Sequence, residues 1–197
     1  MSGERLARAI AAIDAANADD PSTIVVDGVA RPKEQAHAEM MTAWVQRLDP
    51  DADDAQLLAA RAHHLRRWVV PRADYPDGRA GYLRWRTAQK KRHADDVAAI
   101  LTAEGYAEST IARVQSIVRK EGIGHGDPAV QTHEDALCLV FLQTQFDDLI
   151  ARLGHERSVE VVAKTLAKMS ERGREVALGL PLSEAGAAVV REALAPG

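Results

Sequence analysis

Apolar residues recur three and four positions apart through most of this chain, the spacing that lines one face of an α-helix. Leu6, Ile10 and Ile13 share such a face on a helix expected from about Gly3 to Asn17, with Ser2 as its cap. Pro32 suits the first turn of a second helix running to Leu48, in which His37, Met40, Met41, Trp44, Val45 and Leu48 form one stripe. Asp49-Pro50 ends that helix, and Asp51 or Asp53 caps a third, which carries Leu57, Ala60, His64 and Trp68 on one face. Ile24-Val25-Val26 is the single β-branched run, and Gly28 closes it at once, so a short extended connector is expected there.

Two prolines and a glycine between Val70 and Gly78 demand an irregular loop. A long fourth helix then runs to about Glu104 with Gly105 at its end, and Ser109 or Thr110 caps a fifth that reaches Gly122. From Pro128 to Leu153 the pattern changes. Ala136, Leu137, Leu139, Val140, Phe141 and Leu142 make this stretch apolar on nearly every side, as in a helix surrounded by others. Ser158 and Ser183 then cap two terminal helices. The expected fold is all-α, a single-domain bundle over residues 1–197 with about seven or eight helices around an apolar central one.

Length supports one core and not two at 197 residues. Cys138 is the only cysteine, which excludes an internal disulfide and a thiolate zinc site and fits a reducing, cytoplasmic setting. The chain has no apolar run long enough to span a membrane, and charged residues among the first seventeen argue against a secretory signal. A net charge of −4 predicts no general attraction to nucleic acid or anionic lipid.

That average hides a basic and aromatic segment, 61–93, where ten Arg and Lys residues are opposed only by Asp74 and Asp77. Guanidinium forks bind phosphate or carboxylate, and aromatic rings beside them can stack on a base. Arg67, Arg72, Arg79 and Arg86, with Trp68, Tyr75, Tyr82 and Trp85, are therefore the expected anion-binding set, for an anionic small molecule or a nucleotide. The opposing interpretation places these arginines on solvated faces, paired with the acidic remainder.

Helical geometry also turns polar residues inward. His37, His64, His93 and Asp135 align with apolar stripes, and Glu134 stands beside Asp135. A buried carboxylate needs a partner. Histidines from three other helices can supply one through a shared iron, manganese or zinc ion. His63 projects about 100° from His64 on an ideal helix and is the weaker candidate. Hydrogen-bonded core histidines, and an Asp135 paired with an arginine, are the simpler alternative.

The run from Ala59 to Asp96, with Arg31–Pro50 before it and His133–Phe146 after it, resembles the uncharacterised family called domain of unknown function 4202. Arg67, Trp68, Arg72, Tyr75, Arg79, Tyr82, Trp85, Arg86, Glu134 and Asp135 match its pattern. A weaker resemblance is to the HD superfamily of helical metal-dependent phosphohydrolases. His37, the pair His63-His64 and Asp135 fall in the order of that superfamily's ligands, with histidine replacing the aspartate of the pair. That resemblance implies metal ligation by these four and hydrolysis of a phosphoester by metal-activated water, with catalytic roles for His93, Glu134 and Lys120. A non-catalytic module that binds a nucleotide or RNA through the basic segment is the alternative. Residues 97–120 look superficially like a helix-turn-helix, but Leu101 stands where that motif needs a small residue.

Overall fold

A computed structural model of the chain describes residues 2–194, and its helices follow the apolar stripes. The order is α1 (Ser2–Asn17), a hairpin of β1 (Thr23–Val26) and β2 (Val29–Pro32), α2 (Lys33–Leu48), α3 (Asp54–Arg61) and α4 (Gly78–Ala103). Then come α5 (Glu108–Arg119), α6 (Pro128–Thr144), α7 (Phe146–Leu153), α8 (His155–Leu166), α9 (Glu171–Leu178) and α10 (Glu184–Leu194). Among the described residues no helix is long and apolar enough to cross a membrane.

Local chemistry sets several boundaries. Asp53 caps α3 by accepting from the Gln56 amide while the Gln56 side chain accepts from the Asp53 amide, a reciprocal box that satisfies two orphan donors. Asp127 caps α6 through the amides of Ala129 and Val130 and also takes both arms of the Arg113 fork at 2.6 and 2.9 Å. Those bonds hold its carboxyl down at about 2.

Two apolar clusters fill the interior, and α6 belongs to both. Leu58, Leu65, Val97, Leu101, Val114 and Ile117 pack with Ala129 and Val130 at its start. Met41, Trp44, Val45, Phe146, Val162 and Leu166 pack with Ala136, Leu139 and Leu142 further along. Each fully buried Leu or Ile in these clusters contributes about 1.5–3 kcal/mol of transfer free energy. The central helix expected from the sequence is thus present, and its polar residues 133–135 fall where the two clusters meet.

Four boundaries differ from expectation. The Ile24–Val26 run is not a lone connector, because Asp27 and Gly28 adopt positive φ and fold it back into an antiparallel hairpin with Val25 opposite Ala30. α3 stops at Arg61, well before Trp68, and the chain turns through His63–Arg66. α5 starts at Glu108 without a side-chain cap and ends at Arg119, because Lys120 already sits in the left-handed region. The long apolar stretch breaks at Gln145, and the terminal region makes three further helices after α7. Ser183 does cap the last of them, accepting from Gly186, whereas Ser158 lies inside α8 and donates to the Gly154 carbonyl.

Candidate functional site

The turn after α3 is held in an unusual shape. His64 and Arg66 both take positive φ, 58° and 51°, at a cost of about 1–2 kcal/mol for each L-residue so placed. Polar side chains from neighbouring helices compensate. Asn17 accepts from the Arg66 amide at 2.9 Å, and the Arg92 guanidinium donates to the Arg66 carbonyl. Gln89 donates to the carbonyls of Arg67 and Val70, and Trp85 Nε1 also donates to Val70 at 2.9 Å. α4 therefore grips the backbone of 65–70, and Leu65, fully buried, plugs the turn into the core. Strain maintained by so many contacts is a mark of functional sites.

Between this turn, α4 and the α5–α6 corner lies a cleft of about 50 Å³, room for a few water-sized atoms. The cations Arg67, Arg86, Lys90 and Lys120 line it together with His63, His64 and His93. The rings of His63 and His64 lie 3.7 Å apart between centroids, with His133 5.5 Å from His63 and His93 5.8 Å from His64.

All four imidazoles are neutral. Burial pushes His93 down to about 4 and His133 to about 3, and burial together with neighbouring cationic groups holds His63 and His64 well below the usual histidine range. Two tautomers follow from the partners. A carbonyl can only accept, so His93 Nδ1, 2.7 Å from the Leu65 oxygen, carries the proton and leaves Nε2 as a lone pair with no partner. A guanidinium can only donate, so His64 Nε2, 2.7 Å from Arg67, is the acceptor, and its Nδ1–H faces Glu34 Oε2 at 3.3 Å. The Arg67 guanidinium also stacks 4.6 Å from the Trp85 ring centroid.

Deeper in, Lys120 and Glu134 form a buried ion pair. Burial lowers the Lys120 ammonium below its ordinary value, with Glu134 opposing that shift. Lys90 is lowered too, by partial burial and by the nearby charges of Lys120 and Arg86. Cys138, one turn beyond Glu134, is pushed up to about 12 by burial, and so is no nucleophile.

The cleft gathers His63, His64, His93, Arg67, Trp85, Arg86 and Lys120 from the residues singled out in the sequence. Glu134 touches it through Lys120. His37 is buried on α2, its Nδ1 3.8 Å from Glu34 Oε2 and its Nε2 unpartnered. Asp135 goes elsewhere. It accepts from the Ser170 amide and hydroxyl and from Gln131, fastening α6 to the start of α9 and not to any histidine. Arg72 is likewise spent on structure, donating to the carbonyls of Tyr75, Pro76 and Gly78. Trp68 and Tyr75 are half-buried in the loop outside the cleft lining, and Arg79 and Tyr82 lie exposed at the start of α4.

Among the described residues no group of three or more His, Cys, Asp or Glu side chains is placed to hold a metal ion. Two causes are visible: the His64 Nε2 lone pair already faces Arg67, and the Asp135 oxygens are committed to Ser170 and Gln131. The donor types suit iron, manganese or zinc, but their arrangement does not fit one, and no step proposed below passes through a metal.

Sequence reasoning missed Glu34, Gln89, Lys90 and His133. Glu34 stands one turn before His37, and Lys90 one turn from both Arg86 and His93, so face counting alone could have found them. His133 was hidden beside two carboxylates. Both of its ring nitrogens are buried and unpartnered.

The profile of the family described as a domain of unknown function (DUF4202) matches residues 7–190. No curated protein and no solved structure matches the chain.

Proposed function

Since this chain belongs to the DUF4202 family, whose description records no activity, the cleft is the guide to function, and we propose that it hydrolyses the phosphoester of a phosphorylated small molecule or nucleotide. One observation supports this above the rest: a small cleft is lined both by the cations Arg67, Arg86 and Lys90 and by a histidine, His93, whose tautomer is fixed and whose buried Nε2 lone pair has no partner. Neutral imidazole oriented from behind by an acceptor is the usual arrangement of a general base.

In this reading the non-bridging oxygens of the phosphoryl group lie among Arg67, Arg86 and Lys90, whose charge offsets that of the transition state. A water bonds to phosphorus as His93 Nε2 takes its proton. The bond from phosphorus to the ester oxygen breaks, the oxygen keeps the electron pair, and Lys90, with its lowered affinity for protons, supplies the hydrogen that neutralises it. Exchange with solvent restores both side chains. His64 is a positioning residue, holding Arg67 flat against Trp85. Lys120 and Glu134 supply a fixed field behind the histidines.

The test is release of inorganic phosphate from a panel of phosphomonoesters by the purified protein and by His93→Gln. Turnover that falls about 100-fold in the variant, with the melting temperature kept, supports the proposal. Binding of inorganic phosphate without turnover of any ester would leave the alternative, a phosphate-binding module.

A further inference from the structure

We infer that the phosphoryl group entering this cleft belongs to the end of a single-stranded nucleic acid, whose adjoining nucleotides lie along the exposed face of α4; the inference rests on the phosphoester reading of the cleft. Arg79, Tyr82, Arg86 and Lys90 stand three, seven and eleven residues along α4, so at 100° per residue they share one stripe, which continues to His93 in the cleft. From Arg79 to Arg86, at the edge of the cleft, the stripe measures about 10 Å. A stacked strand rises ~3.4 Å per nucleotide, so the stripe has room for about three beyond the terminal phosphate.

The rest of the loop leaves this stripe open. Residues 67–77 pack on a different side of α4: Pro76 lies so close to Gly81 that a Cβ there would meet its carbonyl at 1.8 Å, and Trp85, Gln89 and Arg92 hold the carbonyls of 66–70. Tyr82, by contrast, is 43% exposed, its ring 6.0 Å from Trp85 and under the Arg86 guanidinium at 5.8 Å. A half-exposed ring one turn from a phosphate-binding arginine is a stacking platform for a base.

Some cations of this acidic protein are paired, as in Arg31 with Glu39, Arg61 with Asp14, Lys91 with Asp95 and Arg113 with Asp127. Arg79, Arg86 and Lys90 make no ion pair or side-chain hydrogen bond among the described residues, and the carboxylate that Lys90 feels, Glu134, is already paired with Lys120. A chain of net charge −4 that leaves these three bare in a row presents them to an anion with more than one phosphate.

The experiment is fluorescence anisotropy with a labelled single-stranded RNA of about eight nucleotides carrying a free terminal phosphate, against a mononucleotide, inorganic phosphate and inorganic polyphosphate. The RNA is expected to bind at least tenfold tighter than the mononucleotide. Affinity should fall about tenfold in Tyr82→Ala, recover in Tyr82→Phe, and lose about 0.7 of its log-log salt slope in Arg79→Ala. Both residues are exposed, so circular dichroism of the variants should match the parent. RNA binding no tighter than the mononucleotide, or unmoved by Tyr82→Ala, overturns the inference while mononucleotide turnover leaves the phosphoester reading standing. Polyphosphate bound as tightly as RNA, with Tyr82 irrelevant, overturns it as well. If neither RNA nor any small phosphate binds, both readings fall together.

Discussion

Arg67 donates to Nε2 of His64 at 2.7 Å, and that one bond decides which nitrogen of the imidazole is protonated. Because the donor cannot become an acceptor, His64 is fixed as the Nδ1–H tautomer, pointing its proton toward Glu34. Long-range nitrogen–proton NMR correlation should show His64 and His93 both protonated at Nδ1 near neutral pH. In Arg67→Lys the His64 tautomer is expected to become mixed, because a point-charge ammonium lacks the planar fork that stacks on Trp85. Turnover should drop about tenfold with it, and an unchanged tautomer would remove the positioning role assigned here.

Acid should unfold the protein through its histidines. His63, His64, His93 and His133 all bind protons less readily when folded than when unfolded, so below about pH 6.5 the unfolded chain takes up more protons and stability falls. Each contributes a slope of about 1.4 kcal/mol per pH unit until its folded-state value is reached, which for His93 is about 4. Urea midpoints measured from pH 8 to pH 5 should fall steeply below 6.5. The Asp127 carboxylate acts in a different window, since its stabilisation is lost only below the ordinary aspartate range.

The Lys120–Glu134 pair is a test of buried charge. Lys120→Met leaves the Glu134 carboxylate inside without its cation, and the expected loss is about 3–5 kcal/mol by chemical denaturation. Adding Glu134→Leu should restore most of that stability while turnover stays low. Restored stability with parental turnover would show that the field behind the histidines contributes nothing.

Gly173→Ala should destabilise the fold without touching the cleft. A Cβ at that position would come within 2.7 Å of the Asp135 Cγ, and the carboxylate cannot retreat without losing Ser170. A loss of about 2 kcal/mol in denaturant, with phosphate binding unchanged, is the expected outcome. Loss of phosphate binding in the still-folded variant would place Asp135 in the functional set after all.

The helices were legible in the sequence because apolar spacing is a local property, and so was the central position of α6, whose residues Ala136 to Leu142 admit no solvated side. The segment's chemistry was legible as composition and only partly as placement. Arg67, Arg86 and His93 line one cleft, but whether a guanidinium meets a ligand or a backbone carbonyl depends on the path of the loop. Arg72 turns onto Tyr75, Pro76 and Gly78, and no spacing rule announces that. Asp135 was misjudged for a related reason: its helical face was right, and the partner on that face, Ser170, arrives from 35 residues away. His63 seemed the weaker histidine on an ideal helix. The helix ends at Arg61, and the turn that follows swings His63 against both His64 and His133.

His133, Glu134 and Asp135 are consecutive, yet each addresses a different neighbour, a histidine row, a lysine and the mouth of α9. Rotation of 100° per residue is what separates them. A single residue deleted earlier in α6 would therefore turn all three away at once, moving Glu134 into the place of His133 and Asp135 into that of Glu134, and leaving Ala136 opposite Ser170. Drift in length can be absorbed in the glycine-rich loop at 121–127, but the stretch from Pro128 to Asp135 behaves as a fixed-length spacer, and indels there would be as damaging as loss of the histidines themselves.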